Sequence, residues 1–198
     1  YLYLVNAYAK HYNEATADAD AGVPLLLNAD ISQTNLTRTS VKGVYQQILA
    51  DLNEAESSLP EEISGNAFHA TKDAARGLRA RVYLYMGNYA EALKAANEVI
   101  ARHDTLLDLT RYEVVKPAGQ IGRTKVPDAD ANPESIFIKY APYIFGLSSQ
   151  VFPSDSLLNL YEDADMRKVL FMAETFRGKT LPRPIWVPYV RANTAVGT

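Results

Sequence analysis

Apolar positions over the first hundred residues recur every three or four places, the spacing of one face of an α-helix. Val41, Val44, Tyr45, Ile48, Leu49, Leu52 and Ala55 form one such stripe, with Asp51, Glu54 and Glu56 off it. Thr39 or Ser40 can cap this helix and Pro60 stops it after Leu59. Thr71 is the next cap, for a helix running to about Met86. Gly87-Asn88 then makes a turn, where glycine tolerates a left-handed backbone. A second helix follows from Tyr89 to about Arg102, with Ala92, Leu93, Ala96, Val99 and Ile100 expected inward. Small residues at Ala92, Ala95 and Ala96 would let the two axes come close. Neither helix can bury its stripe alone, so the pair is expected to stack as in a solenoid. At the start, Tyr1, Leu4, Val5, Tyr8 and Tyr12 predict a helix to about Tyr12, with no capping residue before it. The chain therefore reads as a piece cut from something longer, with any export signal upstream.

The pattern changes after the hairpin. Pro117, Gly119, Gly122, Pro127 and Pro133 punctuate 114–133, which predicts a long irregular stretch. Ser135 to Tyr140 reads as a short strand, and Ser154 to Glu162 as a short helix with Leu157, Leu158 and Tyr161 inward. Val169 to Phe176 is β-prone and ends at Gly178; the tail from Leu181 to Tyr189 is extended, with three prolines and the single tryptophan. The expected fold is mainly α: stacked helix pairs over 1–113, with minor β and long loops over 114–198 as the loop-rich part of the same domain.

Composition narrows the function classes. A chain of 198 residues can bury roughly 70% of its unfolded surface, enough for a real core. Charged residues make up 22% and the net charge is −3 with no basic block, which argues against a nucleic-acid partner. The absence of cysteine excludes disulfides and thiolate metal sites within these residues. No apolar run has the length of a membrane-spanning helix.

Signatures of catalysis are sparse. His11, His69 and His103 are far apart and form no metal pair at helical spacing. Gly119-Gln-Ile-Gly122-Arg-Thr-Lys125 lacks the Gly-Lys-Ser/Thr ending of a phosphate loop, and no Gly-x-Ser-x-Gly elbow is present. Asp-Ala-Asp occurs at Asp18/Asp20, Asp128/Asp130 and Asp163/Asp165; the first faintly resembles a calcium loop but lacks its later acidic positions, and solvated turns explain all three. No catalytic residue, metal or cofactor is expected. Most of the 13 tyrosines fall on helix stripes as packing wedges. Trp186, Tyr189 and Tyr143 do not, and flat aromatic faces outside helices suit a sugar ring or a peptide side chain. Tyr12 and Asn13 form a weaker candidate, an aromatic beside an amide that can bond hydroxyls.

Two sets of motifs point to a family. Ala80-Arg-Val-Tyr83-Leu-Tyr-Met-Gly87-Asn-Tyr89-Ala-Glu91-Ala92 resembles a tetratricopeptide repeat: a small residue at closest approach, an aromatic wedge and a glycine turn. Val44-Tyr45-Gln-Gln-Ile48-Leu49-Ala-Asp51-Leu52, then Ala55 and Leu59-Pro60, resembles the "Y-x-x-I-x-x-DL-x-x-A-x-x-x-LP" stretch of SusD/RagB-like proteins. Thr71-Lys72, Ala74-Ala75 and Ala80 through Gly87, Tyr89 and Ala92 resemble that family's next block. Gly22-Val23-Pro24-Leu25 upstream, Asn132, Glu134, Ile136 and Phe137 downstream, and Tyr161, Asp165 and Arg167 later still resemble further blocks, in family order over about residues 1 to 176. The resemblance implies a non-catalytic surface lipoprotein of Bacteroidota-type cells. It would sit on a SusC-like TonB-dependent outer-membrane transporter and capture oligosaccharides or peptides. The family's lipid-bearing cysteine and long C-terminal part are missing from these residues, so the anchor would lie upstream. Two rival readings are a TPR-type adaptor that grips a peptide and a glycoside hydrolase.

Overall fold

The computed structural model describes residues 1–28, 30, 32, 36–62, 67–111, 114–115, 123–124, 132–138, 153–167, 172–176 and 179–186, the residues of the four strands by backbone alone. The chain folds as two compact units, 1–64 with 69–104, and 65–68 with 105–198.

The first unit is helical. Its elements are α1 (Leu2–Tyr8), α2 (Val41–Ser58), α3 (Lys72–Tyr85) and α4 (Tyr89–Ile100). Ser40 caps α2, its hydroxyl accepting from the Gly43 amide at 3.1 Å. Thr71 and Asn88 cap α3 and α4 in the same way. Gly87, at φ +72, supplies the left-handed residue between α3 and α4. These short connections force α3 and α4 into an antiparallel hairpin, and α2 packs on α3.

The core forms where the stripes meet. Leu2 and Val5 of α1, Tyr12, Ala17 and Val23 of the connection, Val41, Val44, Tyr45, Ile48 and Leu52 of α2, and Ala75 and Val82 of α3 make one buried cluster. The predicted α2 stripe is therefore the buried one, with Leu49 partly buried against it. Each fully buried valine or leucine side chain contributes about 1.5–3 kcal/mol of transfer free energy.

Two helical expectations need correction. The first helix stops at Tyr8, not Tyr12: Ala9 is extended (φ −125, ψ 173), and the Arg38 guanidinium donates to the Tyr8 carbonyl at 2.8 Å. In α4 the buried residues are Ala92, Ala95 and Val99, whereas Leu93 and Ile100 are exposed. Ala92, Ala95 and Val99 fall on one line of the helix, and Leu93 and Ile100 lie well round from it at 100° per residue.

The second unit contains β1 (Val114–Val115) paired antiparallel with β2 (Arg123–Thr124), α5 (Asp155–Leu158), and β3 (Met172–Phe176) paired antiparallel with β4 (Lys179–Trp186). Within the stretch expected to be irregular there is thus a short ladder, joining Val114 to Thr124 and Val115 to Arg123. The strand expected from Ser135 is absent through Ile138; the Ile138 amide donates instead to Ala67 at 2.8 Å, and 139–140 lie outside the described residues. α5 is a single turn capped by Ser154, and Leu157 is exposed rather than inward. The described parts of the β-prone run and of the extended tail lie in β3 and β4, while 169–171 and 187–189 lie outside the described residues; the register shifts between Ala173 and Thr175, so that the paired residues skip Pro182 and Pro184.

Candidate functional site

The residues singled out in the sequence fall into three situations. Trp186 is the last residue of β4, with its Cα opposite Met172. Tyr143 and Tyr189 lie outside the described residues. Tyr12 and Asn13 follow α1, and here the structure is explicit. Tyr12 is only 5% exposed. Its ring stands edge-on to Tyr45, with centroids 5.0 Å apart at 67°, and its hydroxyl donates to Glu14 at 2.6 Å. Burial, then the Glu14 hydrogen bond and charge, push the phenol up to about 12. Tyr12 is therefore a core wedge whose ring faces its neighbours, a correction to its reading as a stacking surface. Asn13 is exposed, and its Oδ1 closes a turn by accepting from the Ala15 amide at 3.0 Å.

That turn fixes the start of α2. Lys42 pairs with Asp18 at 2.9 Å and Glu14 at 3.5 Å, while the Lys42 amide donates to the Ala17 carbonyl. Asp20 is buried and accepts from Thr16 and Lys10. Asp18 and Asp20, the acidic pair of the calcium-loop resemblance, are thus occupied by ammonium and hydroxyl donors. No group of three or more metal-ligating side chains occurs among the described residues.

A second polar cluster was not legible in the sequence. Asp73, in the first turn of α3, is 1% exposed. Its carboxylate accepts from Arg76 at 2.9 Å and from His103 Nε2 at 3.0 Å, and forms an ion pair with Arg102 at 2.9 Å. Burial alone would raise its pKa; hydrogen bonds from Arg76 and His103 and the Arg102 charge outweigh burial and hold Asp73 below the usual carboxylate range. Glu56 of α2 behaves likewise: burial pushes it up, and the Arg76 and Arg79 guanidinium groups bring it down. Glu61 joins the set through Lys72 at 2.9 Å and Arg102 at 3.1 Å. The cluster thus ties the end of α2, the start of α3 and the end of α4 together. A general acid needs a raised pKa, and Asp73 and Glu56 are driven the other way. Arg102 and His103 lie just past the last turn of α4, where cations favour the helix dipole, and this was the one available signal. The other histidines stand apart: His11 contacts the Tyr12 carbonyl at 3.0 Å and His69 is exposed.

A SusD-like family model described as "Starch-binding associating with outer membrane" matches residues 1–84. Among solved structures, a SusD superfamily protein from Bacteroides vulgatus is 22% identical with a TM-score of 0.67, over 95% of this chain and 44% of its own. A SusD-like carbohydrate binding protein from the same species is 20% identical with a TM-score of 0.66, over 90% of this chain and 40% of its own. A SusD superfamily protein from Bacteroides fragilis is 34% identical with a TM-score of 0.47, over 56% of this chain and 26% of its own. The chain thus spans less than half the length of these structures. No curated protein matches it.

Proposed function

We propose that the chain is a SusD/RagB-like segment and forms part of a non-catalytic nutrient-binding protein of the outer membrane. The observation that carries this reading is the match of residues 1–84 to a family described as starch-binding and outer-membrane associated. The ligand class is a glycan; the partner is a SusC-like TonB-dependent transporter; the anchor is a lipid attached upstream, on the extracellular face. Two physical features support the division of labour. Helix hairpins present a fixed face suited to docking on a transporter, and irregular segments carry ligand contacts at little cost to the core. Among the described residues no helix is long and apolar enough to cross a membrane.

Trp186, Tyr189 and Tyr143 are the proposed stacking residues. At the α1 exit the ring of Tyr12 is engaged in the core, so any contribution there falls to Asn13. The test is a glycan and peptide binding screen on the full-length protein, repeated with Trp186→Ala and Tyr189→Ala. We expect oligosaccharide binding that weakens about tenfold in at least one variant, in line with loss of an aromatic face, and no release of new reducing ends. Binding unchanged in both variants would remove the site. Peptide-only binding would replace the ligand class, and turnover of the glycan would replace the reading with a hydrolase.

A further inference from the structure

Gly77 stands at the sixth position of the 14-residue α3. Glycine inside a helix is destabilising relative to alanine, because it gives up the most backbone freedom on folding. A close neighbour is the usual structural reason to accept that cost. None exists among the described residues: a Cβ added at Gly77 meets nothing within 4 Å.

The next turns of the same helix carry the chemistry. Arg81 is four residues on and exposed. Its guanidinium donates a long hydrogen bond, 3.3 Å, to the Tyr3 phenol, and no carboxylate among the described residues pairs with it. Arg76, Arg79 and Arg102 of the same unit all pair with carboxylates. Tyr3 of α1 is 74% exposed and Tyr85, one further turn along α3, is 39% exposed. Positions 77, 81 and 85 follow one another at i, i+4 spacing, so they lie along one side of the helix.

We infer that Gly77, Arg81, Tyr3 and Tyr85 form a subsite for a carboxylate-bearing sugar, a uronate unit of an acidic polysaccharide. The guanidinium fork matches a carboxylate in a bidentate, charge-assisted pair. The phenol rings offer flat faces to a pyranose ring. The bare backbone at Gly77 lets the ring settle against α3, where a methyl group would hold it off. The inference rests on the glycan-capture reading above, adds the class of glycan, and gives one side of α3 a ligand contact beside those of the irregular segments.

Affinity electrophoresis of the full-length protein tests it, in native gels containing polygalacturonate, amylose or polyglutamate. Polygalacturonate should retard the protein; Arg81→Gln should weaken retardation about tenfold, with Arg81→Lys recovering part of it. Gly77→Ala should weaken it several-fold while raising Tm, a pairing that a purely structural role for Gly77 does not produce. Full retardation in both Arg81→Gln and Gly77→Ala overturns the subsite. So does Arg81-dependent retardation by polyglutamate as strong as that by polygalacturonate, which would make the ligand an acidic polypeptide. Retardation by amylose but not by polygalacturonate removes the subsite and leaves glycan capture standing, whereas passage through both glycan gels removes both.

Discussion

Gly22 shows how one residue holds the entry to α2. Its amide donates to the Thr39 carbonyl at 2.7 Å, and an added Cβ would lie 2.7 Å from that same oxygen. Backbone cannot move aside as a side-chain tip can, so Gly22→Ala should destabilise by about 1–3 kcal/mol. Gly43→Ala makes a useful contrast. Its Cβ would meet the Thr39 Cγ2 methyl, also at 2.7 Å, which can rotate away, and alanine favours the helix. Urea titration should therefore rank Gly22→Ala well below Gly43→Ala; equal midpoints would contradict this account of the entry to α2. Tyr45 offers a milder test. It is 1% exposed, and its hydroxyl donates to Asn6 Oδ1 at 2.8 Å. Tyr45→Phe keeps the ring packing and loses only that bond, so a loss of about 0.5–1.5 kcal/mol is expected in the same titration.

For the helices, caps and turns decide the register, and their effects can be separated by sign. Ser40→Ala removes the hydroxyl that accepts from Gly43 and should cost about 1 kcal/mol. Gly87→Ala places a Cβ at φ +72, where open space brings no relief, and should cost about 1–2 kcal/mol. Gly77→Ala should gain about 1 kcal/mol, because its backbone is ordinary helix. Thermal unfolding of the three variants should show two losses and one gain. Ser40, Thr71 and Gly87 were all legible in the sequence, because capping and left-handed turns depend on residues within one helical turn. What depends on distant partners was not. Leu93 and Ile100 are as apolar as Val99, and which line of α4 turns inward decides that they stay outside. Ser135–Ile138 has strand composition but finds Ala67 rather than a ladder. Tyr12 keeps helical phase with Tyr8, yet it reaches the core from beyond the helix end. Of the proposed ligand residues, the extended backbone that carries Trp186 was legible, since prolines at 182 and 184 disfavour helix and fall where the ladder leaves residues unpaired.

On the scale of the whole molecule, the helical unit is bound by carboxylates that must stay ionised, and this fixes how stability follows pH. Asp73, Glu56 and Glu61 all have pKa values below those of free side chains, 3.8 for aspartate and 4.5 for glutamate. A depressed folded-state pKa means that the unfolded chain binds protons first. The stabilisation is therefore complete above the unfolded values and drains away as pH falls through the folded ones. The alkaline limb has the opposite origin. Tyr12 is raised from 10.0 to about 12, so the fold favours the neutral phenol. Its contribution is intact below about pH 10 and is lost as pH rises towards 12. The urea midpoint followed by circular dichroism should thus be level from about pH 5 to about pH 9, falling on both sides. Asp73→Asn discriminates between this account and general charge repulsion. It removes the carboxylate that accepts from Arg76 and His103 and pairs with Arg102, so it should lower the plateau by about 1–3 kcal/mol. It should also make the acid limb shallower, because one of the three carboxylates that titrate there is gone while Glu56 and Glu61 remain. A variant with a lowered plateau but an acid limb as steep as wild type would show that Asp73 does not couple the helix hairpin to pH.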